Sequence, residues 1–334
     1  MRPLPLVPAI AVLALAGCQL LLGIETRAVD ADGGAFGGGA LDGGALDGGD
    51  GSSADDGPRP EASTVSLSDA KLDDVDATGP SGAFAPRTGD VVVLEPGSIQ
   101  TTTRGELETW NDRTAGSTRR AVANGTAPAV TSVGGLRCLS FNGGEYLRMI
   151  DDGTLGPGES DFSVLVILKP DGGPIRNNHG SIPVARAEST GITQPGGWRY
   201  SYRGFALMTE VSDVDTRVSK RFSARLAIDY EAKSVSEVLE PTRPLAEHSR
   251  LTATALQRMG DKLYLHVDRS IHEAIATGVQ PAKANLLVGK VDEDDDLVAT
   301  AYRGLVCAVV LHHGPETVGA VQARLAAMRS AFPP

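Results

Sequence analysis

The chain has 334 residues, 41% of them hydrophobic and 4% aromatic, with a formal charge of −11. Residues 30–80 hold 12 Asp and Glu against Arg59 and Lys71, so that segment carries −10 and residues 81–334 carry only −2. A near-neutral folded part gives no electrostatic case for nucleic acid, and roughly 250 residues suffice for one large domain with a proper core.

Residues 4–17 are apolar and uncharged, preceded by Arg2. The stretch is shorter than the ~20 residues of a spanning helix and ends in small residues, as a secretory signal does. Leu15-Ala16-Gly17-Cys18 resembles the lipobox of bacterial lipoproteins at all four positions. That resemblance implies cleavage before Cys18 (residues 1–17 removed), diacylation of its thiol and acylation of the new amine. Several acyl chains anchor a protein stably where one does not. Residue 19 is Gln, not the Asp that favours inner-membrane retention in that family, so an outer-membrane lipoprotein is expected, facing the periplasm or the cell surface. The competing reading is an ordinary secretory signal that contains a cysteine.

Residues 18–85 follow as a lipid-anchored linker. The part from 26 onward is rich in Gly, Asp, Ala and Ser and repeats Gly-Ala-Leu-Asp-Gly at 39–43 and 44–48. Its apolar residues are too sparse to offset the entropy of ordering, so disorder is expected, with a span of roughly 45 Å. Calcium binding by the Asp-Gly repeats would need stricter spacing and more copies.

Residues 86–334 read as the folded domain. Val91–Leu94 is a first strand, followed by a segment at 107–113. Gly135–Leu147 reads as a hairpin: a strand with Leu139 and Phe141 on one face and Leu136 and Cys138 on the other, a turn at Asn142-Gly143-Gly144, and a second strand from Tyr146. Asp161–Pro170 is apolar on both faces and should be central. Further strands are expected at 197–203, 205–211, 222–230, 250–258, 262–268, 285–289 and 301–312. A short helix closes the chain from Pro315, with Val318, Val321, Leu325 and Met328 at helical spacing. Many strands at intervals of roughly 10 residues predict an all-β, two-sheet antiparallel jelly-roll sandwich.

The order of short motifs supports a resemblance: Trp110-x-Asp112; Leu139-x-Phe141-Asn142-Gly143 with Tyr146-Leu147; Phe162-Ser163-Val164; Leu263-Tyr264-Leu265-His266-Val267-Asp268; Leu287-Val288-Gly289; and Tyr302-Arg303-Gly304-Leu305-Val306 before the helix. It looks like the concanavalin A-like lectin and glucanase superfamily, in its laminin G-like branch, over about residues 90–330. Arg269 after Asp268 departs from the glycine usual there, and 212–250 is longer and more polar than expected. The resemblance implies that the strand of Cys138 and the final strand with Cys307 lie together, so a Cys138–Cys307 disulfide is expected in an oxidising compartment. Two separate buried thiols is the alternative.

Catalytic members of that superfamily imply a Glu-x-Asp-x-x-Glu strand. Glu159-Ser160-Asp161 and Glu293-Asp294-Asp295 begin it and fail at Val164 and Val298. Ser270-Ile271-His272 lacks the Gln of a jelly-roll lyase motif, and no phosphate loop or zinc pattern is present. A non-catalytic module is therefore expected. Three features could bind. Trp198, Tyr200 and Tyr202 share one strand face and could stack on sugar rings, although the same stripe could be core. The run 292–296 offers Asp292, Asp294 and Asp295 to calcium, with Asp213 and Asp215 as a conceivable second arm, against the alternative of a solvated loop. The polar loop 176–179 is the third candidate, as part of a binding rim. The expected function is an envelope module that binds carbohydrate or protein. The alternatives are a polysaccharide-acting enzyme with an unrecognised site and a purely structural envelope or adhesion component.

Overall fold

The computed structural model describes residues 82–158, 160–171, 181–189, 202–214, 217–227, 236–240, 243–244, 250–276, 282–291 and 301–334. A short 3-10 turn (Gly82–Phe84) leads into β1 (Asp90–Thr101), β2 (Leu107–Asp112), β3 (Arg120–Ala123), β4 (Ala129–Val133), β5 (Leu136–Asn142), β6 (Leu147–Met149) and β7 (Phe162–Pro170). Then come β8 (Ser181–Ser189), β9 (Tyr202–Val214), β10 (Arg217–Ala227), β11 (Ser236–Leu239), β12 (Arg243–Pro244), β13 (Thr252–Met259), β14 (Lys262–Val267), β15 (Ser270–Ile275), β16 (Leu286–Val288) and β17 (Arg303–His313). Helix α1 (Val318–Ser330) closes the chain.

The strands form an antiparallel jelly-roll sandwich of two sheets. In the first, the order is β15-β14-β13-β7-β17. The other edge of β17 is shared: residues 303–306 pair with β5, and 309–312 pair with β1. Strand β4 lies beyond β5, and β2 beyond β1. The second sheet runs β10-β9-β8-β16-β6-β3, with β11 and β12 both on the outer edge of β10. Strand β3 turns the corner: Ala121 pairs with β2 in one sheet, and Val122 and Ala123 pair with β6 in the other.

Three layers result, which explains the doubly apolar strands. Val164, Val166 and Leu168 of β7 face the second sheet and pack in a core with Trp110, Phe141, Phe205 and Phe222. Leu165 and Ile167 point the opposite way, into a second core with Val310, Val321, Leu325 and Met328 under α1. Period-two alternation on a strand covered on both sides must read as continuous apolar sequence.

The structure corrects several expectations. The Asn142-Gly143 turn does not make a hairpin. Strand β5 pairs with β4 and β17, whereas β6 pairs with β3 and β16 in the other sheet. Gly143 has φ +92°, which favours glycine where the chain leaves β5, and the Arg303 side chain from the neighbouring β17 packs against it, with its Nε 2.6 Å from where a Cβ would stand. The carboxylate of Glu145 accepts from the backbone N–H groups of Asn142 and Gly144, which closes the corner in place of strand pairing. Leu139 and Phe141 do face the inter-sheet core, while Cys138 and Leu136 face α1. Pro315 lies outside the helix, whose N-cap is Thr317, its hydroxyl accepting from the Ala320 N–H at 3.2 Å. The strands expected at 205–211 and at the start of 222–230 fall within the longer β9 and β10. Strands β3, β4, β8, β11, β12 and β15 are not among the strands expected from the sequence.

Candidate functional site

Beside α1, at the edge formed by β13, β14 and β15, a groove of about 660 Å³ is lined by Arg250, Asp268, Arg269, Ser270, Gln322 and Arg329 over an apolar wall that includes Leu251 and Phe332. The two-residue turn Asp268-Arg269 joins β14 to β15. Asp268 has φ +51°, the one positive φ among the described non-glycine residues. A positive φ at the first central position is what a II′ hairpin turn requires, and Gly is the usual solution. Asp substitutes because its own side chain is fixed. Its Oδ1 accepts from the Ala253 N–H at 3.1 Å, its Oδ2 accepts from Arg250 at 2.8 Å, and its backbone N–H donates to Ala253 O at 2.7 Å.

On the helix side, Arg329 Nε donates to Leu251 O at 3.1 Å and its Nη1 to Pro333 O at 2.9 Å, which ties residue 333 to the segment just before β13. Phe332 is locked edge-on against Phe84 with ring centroids 6.0 Å apart. Gln322 donates from Nε2 to His266 Nδ1 at 2.9 Å. The groove is thus a fixed surface rich in cationic and polar groups, with Asp268 as the single carboxylate side chain in its lining.

A second cluster has the residue types of a nucleophile triad without its geometry. Asp90, His312 and Ser163 stand in register on β1, β17 and β7. His312 Nδ1 lies 3.1 Å from Asp90 Oδ1. In a nucleophile triad the serine hydroxyl would meet the other imidazole nitrogen. Here Ser163 Oγ donates instead to Glu316 Oε2 at 2.5 Å, and Ser163 is completely buried under α1. Arg324, 1% exposed, completes the cluster with a two-point contact to Asp90 at 2.7 and 2.6 Å. Burial pushes the Asp90 carboxyl up, but the His312 hydrogen bond and Arg324 outweigh it and hold the group below its usual value. This cluster is a polar latch between helix and sheet. His313, adjacent to it, has its imidazole pushed down by burial.

Cys138 on β5 and Cys307 on β17 are joined by a disulfide, with 4.2 Å between Cα atoms. Leu139 pairs with Val306, and a bulge between Val306 and Ala308 turns Cys307 toward its partner. Both cysteines lie in the core beneath α1. Among the other sequence candidates, Tyr202 opens β9. Its side chain, Trp198, Tyr200, Asp292, Asp294, Asp295, Asp215, the loop 176–179, Cys18 and the linker lie outside the described residues. Among the described residues no group of three or more His, Cys, Asp or Glu could hold a metal ion, and no helix is long and apolar enough to cross a membrane. The groove is not legible in the sequence: Arg250 and Arg329 are 79 residues apart in the chain, and the only local hint is the missing glycine after Asp268.

The described residues define a β-sandwich with a helix-flanked groove. No protein-family model matches the sequence, and no curated protein does. Solved structures with a similar course of chain include the binding domain of Paraclostridial mosquitocidal protein 1, at 7% identity and TM-score 0.48, covering 71% of this chain and 52% of that one. The binding domain of botulinum neurotoxin DC in complex with SialylT is similar at 8% identity and TM-score 0.48, covering 72% and 52%. Domain 4 of AbnA, a GH43 extracellular arabinanase from Geobacillus stearothermophilus, in complex with arabinotriose, is similar at 12% identity and TM-score 0.39, covering 71% and 98%. The chain thus spans about half the length of the two toxin domains.

Proposed function

We propose that this protein is a non-catalytic binding module for carbohydrate, displayed at the cell envelope by a lipid on Cys18, and that the groove beside α1 is its ligand site. The observation that carries this reading is the lining of the groove: arginines, a hydroxyl and a carboxamide set against an apolar wall, on a scaffold braced by Asp268 and Arg329. Sugars present hydroxyls at the ring edge and C–H groups on the ring face, and such a surface meets both. Glycoside hydrolysis calls for two carboxylates flanking the bond. The groove lining has Asp268 alone, and both its oxygens are engaged by Ala253 and Arg250. Membrane attachment rests on Leu15-Ala16-Gly17-Cys18.

A glycan-array screen of the full-length protein tests the binding role, with Arg269→Ala and Trp198→Ala variants alongside. Loss of binding in Arg269→Ala supports the groove. Loss only in Trp198→Ala would move the site to the aromatic stripe, and capture of no glycan would end the reading. Intact mass spectrometry of membrane-extracted protein should show acyl additions on Cys18, and a soluble product cleaved at another bond would refute the anchor.

A further inference from the structure

We infer that the groove recognises a carboxylate on its saccharide, so that its ligand is an acidic, uronate-bearing glycan. This rests on the binding-module reading above and narrows it. Three guanidinium groups, from Arg250, Arg269 and Arg329, line one groove with a single carboxylate side chain, that of Asp268. Asp268 pairs with Arg250 at 2.8 Å, so neither Arg269 nor Arg329 has a carboxylate side chain as partner in the lining. Arg329 is held in place by its bonds to Leu251 and Pro333. Arg269 is different: it is exposed at the turn tip and makes no hydrogen bond or ion pair among the described residues. Arginine at 269 costs the turn nothing, because the positive φ falls on Asp268 and the second central position of such a turn accepts any side chain.

A guanidinium presents a planar fork of donors that fits a carboxylate in a two-point contact. The volume of about 660 Å³ lies in the range of small-ligand sites, roughly 300–1,000 Å³, and suits a short oligosaccharide rather than a protein face. Gln322 directs its amide nitrogen to His266, which leaves its carbonyl oxygen as an acceptor for a sugar hydroxyl. The apolar part of the lining is Ala326 with Leu251 and Phe332, the last two only 7% and 4% exposed. An acidic peptide offers the arginines the same carboxylate, so poly-glutamate is the competing ligand in the test.

The test is calorimetric titration of the full-length protein with oligogalacturonate, its fully methyl-esterified form, a neutral galactose oligosaccharide of equal length, and poly-glutamate. The free acid should bind at least tenfold more tightly than its ester, with affinity falling as salt rises. Arg269→Ala should lose about tenfold with an unchanged melting temperature, and Arg269→Lys should recover only part. Equal affinity for acid and ester, or free-acid binding indifferent to Arg269→Ala, would overturn the inference while leaving the carbohydrate-binding reading in place. Poly-glutamate bound in preference to any saccharide would overturn both, as would binding of no saccharide at all.

Discussion

The side chain of Asp90 has no solvent exposure, yet it is charged, and the groups that keep it so come from both neighbouring elements: Arg324 on α1 and His312 on β17. Removing one member of a buried ion pair leaves the other desolvated without compensation, at a cost of about 3–5 kcal/mol. Asp90→Ala is therefore expected to destabilise by that amount in urea unfolding at pH 7. Because the folded-state carboxyl is held below its ordinary value, the contribution is present above about pH 4 and is lost as pH falls through the folded value. His266 acts in the same direction by a different route. Burial, with repulsion from His272, pushes its imidazole down to about 3. Gln322 donates to Nδ1, so Nε2 carries the proton and donates to Gln257 at 2.9 Å. The unfolded chain protonates this group near pH 6.5 and the folded one does not. Stability should fall from about pH 6.5 downward, by about 1.4 kcal/mol per pH unit. A urea-unfolding series from pH 7 to pH 4 should show at least this slope, and His266→Gln should make it shallower, the remainder coming from His313.

At the scale of elements, α1 is what turns an open sheet face into a second core. Val321, Leu325 and Met328 were legible as its apolar stripe from their spacing. Arg324 was not, since a basic residue in that stripe reads as solvent-facing until Asp90 is placed beneath it. Leu325 has no exposure and packs in the core with Leu165, Ile167 and Val310. Leu325→Ala should cost about 2–5 kcal/mol through lost burial and a residual cavity, read as a lowered midpoint in chemical unfolding. The Asn142-Gly143 turn shows the opposite failure. Its local sequence satisfies the requirements of a hairpin, but Leu139 and Phe141 of β5 are held beside β17, while β6 is claimed by β16. Pairing partners distant in the chain override a turn preference worth far less than the pairing they make.

Over the whole molecule, the Cys138–Cys307 bond links two strands 169 residues apart. Closing a loop of that length in the unfolded chain corresponds to about 5 kcal/mol on the chain-entropy account. A Cys138→Ala, Cys307→Ala double variant should lose stability of that order, measured by urea unfolding against the oxidised protein, with the strand content in circular dichroism retained. What the sequence determined by itself was local or periodic. It set the all-β class from turn spacing and alternation, the doubly covered strands β7 and β17 from unbroken apolar runs, the closing helix from its stripe, and the acidic segment from composition. The tertiary structure alone decided which strands meet, that Ser163, His312 and Asp90 form a latch rather than a triad, and that Arg250, Arg269 and Arg329 share one groove. The reason is physical: alternation and propensity act over a few residues, whereas register and convergence depend on which distant surfaces bury each other.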